Sequence, residues 1–239
     1  MSVSTASKFD TWYEDPLYPS SDGEPMADNT LQWKWIVVIK EGLERVFKDD
    51  PNVFIAGDLL WYPVQGDPKT RIAPDALVAF GRPKGERTSY MQWREGGIAP
   101  QVVFEVLSQK NTMKEMERKR GFYERHGVEE FYIYDPDNPR LVGYLRLDGR
   151  LEPIPEMNGW TSPRLGVRFE LNGKLVLIGP DGTPFATFLE LDRQRDAMAE
   201  QRDAAEARAE AAEGHAEFER QRAERLAAKL RELGIEPEV

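Results

Sequence analysis

The sequence predicts an α/β domain followed by a long C-terminal helix. Three observations carry that prediction. The first part of the chain reads in the order helix, three extended segments, helix, strand. Its apolar runs are of strand length and are bounded by Gly, Pro and Asp. From about Phe185 to Leu233 proline disappears and Ala, Glu, Asp and Arg take over.

Residues 1–27 are polar and carry Pro16, Pro19 and Pro25, which predicts an irregular N-terminal segment. Asp28, Asn29 and Thr30 are candidate N-caps for a helix running to about Lys48, with Trp35, Ile36, Ile39, Leu43, Val46 and Phe47 as its apolar stripe. Extended segments are predicted at Val53–Tyr62 and Ile72–Phe80. A charged Gly/Pro-rich loop, Gly81–Gly97, separates them from Gln101–Leu107, which reads as a buried strand. A polar helix follows over roughly Thr112 to Arg125, with Gly127 as its C-cap. Glu130–Tyr134 is the next strand, closed by the turn Asp135-Pro136-Asp137. Leu141–Leu147, Leu151–Ile154, Val167–Leu171 and Leu175–Ile178 then read as a meander, turning at Asp148-Gly149 and Asn172-Gly173. Residues 28–182 are thus expected to form one domain, with helices able to cover both faces of its sheet.

The tail, residues 185–235, has a heptad-like seam. Leu191, Met198, Ala205, Ala212, Leu226 and Leu233 recur every seven residues, with Ala209, Ala216, Ala223 and Leu230 four positions after members of that series. Glu219 interrupts the first series, and Arg195 and Arg202 the second. Two arrangements fit: a solvated single helix laced by i,i+4 ion pairs, or a weak coiled coil that makes the protein a homo-oligomer.

Composition narrows the chemistry. The 239 residues carry a formal charge of −10, contain no cysteine and have two histidines, His126 and His215. Disulfides, thiolate metal sites, cysteine nucleophiles and His-rich centres are thereby excluded. A pI of about 4.9 argues against coating nucleic acid through bulk charge. The N-terminus has no apolar signal segment, and the longest apolar run in the first half, Trp35–Ile39, is far too short to span a membrane. A soluble, cytoplasmic protein is expected.

Three ionisable positions sit where charge is expensive. Asp75 follows Pro74 at the mouth of the apolar run Ala76-Leu77-Val78, and Glu105 interrupts Val102–Leu107. Each alone also fits an end-of-strand carboxylate, in solvent or paired with Arg71 or Arg94. Adjacent strands would aim both at one point, which is what a hard cation such as Mg²⁺ needs. Glu115, Lys119 and Tyr123 stand at i, i+4, i+8 on the following helix and share one face. Lys119 alone is an ordinary i,i+4 partner of Glu115; beside two carboxylates it completes a set suited to phosphodiester hydrolysis. Ser108 has neither a nearby base nor an elbow motif, so an esterase is not supported.

The ordered set Pro74-Asp75, Val103-Phe104-Glu105-Val106-Leu107-Ser108, Glu115…Lys119…Tyr123 and Gly127-Val128-Glu129-Glu130-Phe131-Tyr132-Ile133-Tyr134-Asp135-Pro136 resembles the Uma-two family of endonucleases, in the PD-(D/E)XK nuclease superfamily. Asp22-Gly23-Glu24-Pro25-Met26 and Gly57-Asp58-Leu59-Leu60-Trp61-Tyr62 fit it too, so the resemblance spans roughly residues 14–180. It implies a restriction endonuclease-like core with a mixed central sheet between helices, and a Mg²⁺- or Mn²⁺-dependent endonuclease acting on DNA. Asp75 and Glu105 would be the metal ligands and Lys119 the catalytic lysine, taken from the helix because the usual position two after the glutamate is Leu107. Glu115 and Gln32 would line the site, Gln32 standing where many members have His. These departures keep a second reading open, a catalytically inactive nuclease-like scaffold acting as an oligomeric interaction module through its tail. Arg82, Lys84, Arg87 and Arg94 with Tyr90 and Trp93, and Lys110, Lys114, Arg118 and Arg120, fit either a phosphate-tracking surface or solvated charge.

Overall fold

The first helix begins where the Asn29 side chain accepts the Gln32 N–H at 2.8 Å, and α1 runs over Thr30–Val46. The computed structural model describes residues 17–23 and 25–234; most of the predicted irregular segment 1–27 lies outside the described residues. The chain divides into two units, Met1–Thr187 and Phe188–Val239.

In the first unit, α1 is followed by β1 (Val53–Ala56), β2 (Trp61–Tyr62), β3 (Ala76–Phe80), β4 (Tyr90–Met91) and β5 (Val102–Val106). Helix α2 (Met113–His126) then leads to β6 (Glu130–Asp135), β7 (Arg140–Leu147) and β8 (Arg150–Pro153). The main sheet has the order β1-β3-β5-β6-β7-β8. β5 and β6 run parallel, joined by α2, and the other neighbours are antiparallel, so the sheet is mixed as expected.

Strand alternation builds a core on each face. Ala76, Val78, Val102, Phe104, Val106, Tyr132 and Tyr134 face Ile36, Ile39 and Leu43 of α1. Leu77, Val103, Phe131 and Ile133 face Met116 and Tyr123 of α2. Glu105 has the parity of Val103, and Asp75 that of Leu77. Both therefore belong on the α2 side.

Three local readings of the sequence change. The extended segment Val53–Tyr62 breaks at Asp58, whose φ of +46° ends β1 and sends Trp61–Tyr62 into a parallel pair with β4. The expected four-strand meander stops at β8. Strands β9 (Arg168–Leu171) and β10 (Leu175–Ile178) form a separate hairpin, because Phe169, Leu175 and Leu177 cover the α1-side core instead of extending the sheet edge. Buried Glu130 ties that region to β6, accepting from Tyr132 Oη, Ser162 Oγ and Arg164 N–H. Lastly, much of the basic loop Gly81–Gly97 is spent internally. Arg82 Nε and Arg87 Nε lie 2.9 and 2.7 Å from the carboxylate of buried Glu95, Arg87 stacks over Phe54, and Lys84 reaches Glu44 at 3.4 Å.

Among the described residues, the second unit is one helix, α3 (Phe188–Glu232). Leu191, Met198, Leu226 and Leu233 are exposed. Among the described residues, no helix is long and apolar enough to cross a membrane.

Phe185, placed by the sequence at the start of the tail, is buried in the first unit against α1. Gly42 makes room for it: a Cβ there would stand 2.0 Å from Phe185 Cδ2. Gly42→Ala is therefore expected to destabilise the first unit by about 1–3 kcal/mol through overpacking. Thermal unfolding checks this, and Phe185→Ala in the same background should recover part of the loss.

Candidate active site

The site starts from the register of two strands. Ala76 pairs with Phe104 and Leu77 with Val103, so continuing by one residue sets Asp75 opposite Glu105. Asp75 then uses its side chain where a strand would use a carbonyl: Oδ2 accepts the Val106 N–H at 2.6 Å. The other side of the Val106 peptide is held by α1, since Gln32 Nε2 donates to Val106 O at 2.8 Å. Gln32 Oε1 in turn accepts the Asp28 N–H at 2.8 Å. Predicted as site-lining, Gln32 thus fixes the backbone next to Glu105.

Helix α2 supplies the partners of Glu105. It is capped by Thr112, whose Oγ1 accepts the Glu115 N–H at 3.2 Å, and it ends at Gly127 with φ +98°. One turn apart on its inner face, Lys119 and Tyr123 divide the Glu105 carboxylate between them. Lys119 Nζ lies 2.6 Å from Oε2, and Tyr123 Oη donates to Oε1. Glu105 is 3 % exposed and Tyr123 fully buried.

The sequence did not single out Asp58. Its backbone N–H is directed at both Pro74 O (3.1 Å) and Asp75 O (3.3 Å), which seats the turn after β1 against the start of β3. At Gly57 a Cβ would come within 3.4 Å of Asp75 O, so the approach is close. The available signal was a Gly-Asp pair interrupting an apolar run, which also marks any surface turn.

These residues line a cleft of about 460 Å³ that also takes in Glu115, whose carboxylate meets Asn111 Nδ2 at 3.3 Å. Asp75, Glu105 and Lys119 come together here, with Gln32 and Glu115 around them. Ser108 is structural, its Oγ donating to Asp28 at 2.6 Å, and Lys110 Nζ reaches the same carboxylate at 2.6 Å. These bonds, Lys110's foremost, hold Asp28 below the usual aspartate value.

Negative charge is in excess at the floor. Burial, then the neighbouring Glu105, pushes Asp75 well above the ordinary carboxylate range, against the pull of Lys119 and the Val106 N–H. Asp58 is pushed up to about 6 by burial and by Asp22 and Glu105. Burial alone would lower Lys119, but the carboxylates of Glu105 and Asp75 outweigh it and hold the ammonium above the usual lysine value. A pair of hard oxygen donors short of positive charge suits a small divalent cation that keeps most of its waters. Among the described residues, no three His, Asp or Glu side chains are already arranged as a metal cage.

The family model Uma2, described as "Putative restriction endonuclease", matches residues 29–175, more than half of the chain. The chain belongs to the Uma2 family. This is the family that the ordered motifs resemble, and the match contains Gln32, Asp58, Asp75, Glu105 and Lys119. Among solved structures, "a putative nuclease belonging to DUF820 from Anabaena variabilis ATCC 29413" is 17 % identical, with a TM-score of 0.43 over 60 % of this chain and 79 % of that one. No curated protein matches the chain.

The raised Asp58 makes the metal-free protein more stable when that residue is protonated. The gain is complete below the unfolded value near 3.8 and is lost as pH rises through about 6. Asp58→Asn removes this dependence. Its stability advantage over wild type should grow between pH 4 and 7 to about 1 kcal/mol, the full two-unit shift being discounted for partial exposure. Urea titrations across that range in the presence of a chelator measure it.

Proposed function

We propose that this Uma2 protein is a divalent metal-dependent endonuclease that hydrolyses phosphodiester bonds in DNA. The observation that carries the reading is the convergence of Asp75, Glu105 and Lys119 in one open cleft, reached from two adjacent strands and the helix that follows them. Asp75 and Glu105 would hold the cation, Mg²⁺ or Mn²⁺. When bound, it supplies a Lewis acid to the scissile phosphodiester.

The remaining work falls to the chain itself. Lys119 orients the attacking water and offsets the charge that grows on the phosphoryl oxygens. Tyr123 keeps one oxygen of Glu105 fixed, so the carboxylate turns about a defined axis when Lys119 shifts its hydrogen bond from Glu105 to water or phosphate. Gln32 and the Asp75 side chain pin the Val106 peptide from both sides, which holds the end of β5 still.

The test is cleavage of supercoiled plasmid and of single-stranded DNA with Mg²⁺ or Mn²⁺. Asp75→Asn and Lys119→Ala are each expected to lower the rate by about 100-fold or more. Circular dichroism at the assay temperature separates lost chemistry from lost fold, since Lys119→Ala also leaves Glu105 buried without its ion pair. Activity that survives both substitutions assigns the chemistry elsewhere. A wild type inert on both substrates with both metals leaves the non-catalytic scaffold.

The same reading makes α3 the self-association element, paired with a second copy of itself. Leu191, Met198, Leu226 and Leu233 stand exposed at heptad spacing, and Arg208 precedes Glu213 by five residues, the spacing of interchain ion pairs between parallel helices. Deleting residues 188–239 is expected to reduce the mass measured by light scattering to that of a monomer. An unchanged oligomeric state would place the contact in the first unit.

A further inference from the structure

Most cations near the cleft are already committed to carboxylates. Arg82 and Arg87 are spent on Glu95, Lys110 on Asp28, Arg120 on Glu117 and Lys119 on Glu105. Two guanidiniums that line the cleft are not. Arg118 is exposed on α2, one residue before Lys119, and its side chain makes no hydrogen bond or ion pair among the described residues. Arg71 meets the Tyr62 hydroxyl at 3.5 Å and no carboxylate among the described residues.

Their backbones are firmly placed. Arg71 is next to Ile72, which exchanges N–H···O bonds with Trp61 at 2.8 and 3.2 Å, four residues before Asp75. Arg118 rides on the helix that delivers Lys119 to Glu105. Both line the cleft, Arg71 from the segment that leads into Asp75 and Arg118 from the helix that carries Lys119. Each keeps a planar donor fork available in a space otherwise rich in carboxylates.

We infer that Arg71 and Arg118 bind backbone phosphates of the strand that enters the cleft. A guanidinium meets a phosphate through two parallel N–H···O bonds, and in an acidic cleft it gives a polyanion a foothold that bulk charge does not. Sequence plays no part in such contacts. They set position and register, which a nuclease needs before any phosphodiester can face Lys119. The inference rests on the nuclease reading above.

Fluorescence anisotropy of a labelled DNA duplex tests it, with Ca²⁺ in place of Mg²⁺ and salt titrated from low to moderate concentration. Arg71→Gln and Arg118→Gln are each expected to weaken binding about tenfold and to reduce the slope of log affinity against log salt by about one, the double variant by about two. Arg150→Gln, on exposed β8, should leave both quantities unchanged. Thermal melts of the variants should match wild type, since neither arginine holds a carboxylate. Wild-type slope and affinity in the double variant would overturn the inference while leaving the nuclease reading intact. A wild type that binds no DNA at any salt would overturn both.

Discussion

The fold is organised around a carboxylate in the middle of a sheet. An unpaired carboxylate in an apolar strand costs several kcal/mol in desolvation, more than most single core contacts return. Glu105 survives there because α2 brings Lys119 and Tyr123 to its two oxygens. That requirement fixes the rotation of α2 about its own axis, since both partners must face the sheet one turn apart. It also accounts for so polar a helix burying so few residues, with Met116 and Tyr123 as its buried contacts. Removing either the acid or the base alone leaves the other buried and uncompensated. Apolar residues at both 105 and 119 would avoid this cost, so the pair makes a poor device for stability and a good one for holding charge ready.

The same constraint extends outward through one peptide. Val106 donates its N–H to Asp75 and offers its carbonyl to Gln32, so β3, β5 and α1 meet at the residue after Glu105. Gln32 is itself set by Asn29 and by the Asp28 N–H. A glutamine at this point satisfies a donor and an acceptor at once. Its amide gives the site geometric support with no titrating group.

What the sequence disclosed follows from periodicity. Glu105 within an apolar run, and Glu115, Lys119 and Tyr123 along one helical face, are local patterns that need no knowledge of the tertiary fold. The alternation that sends Val103 and Phe104 to opposite cores also fixes the face of Glu105. Asp58 was illegible because its role depends on the turn after β1 packing against β3, a contact between segments with no shared period. The Gly81–Gly97 loop misled for a related reason. Its arginines look solvated until Glu95, eight residues from Arg87, is seen folded beneath them. Likewise, the Phe169 and Leu175 strands have the right alternation for a meander, but alternation does not say which sheet a strand joins.

Net charge becomes informative once it is localised. The floor of the cleft gathers Asp58, Asp75 and Glu105 around one ammonium, and the positive groups at its walls are outnumbered. A DNA phosphate entering that field is opposed by the carboxylates and favoured by Arg71 and Arg118, and partial burial leaves the carboxylates' share poorly screened. A divalent cation at the carboxylates cancels the negative excess, so cation and polyanion favour each other's binding. Linkage makes the effect reciprocal: whatever factor the metal adds to DNA affinity, DNA adds to metal affinity. On the proposed reading, an acidic protein can therefore act on an acidic polymer, provided the cation arrives first or with it.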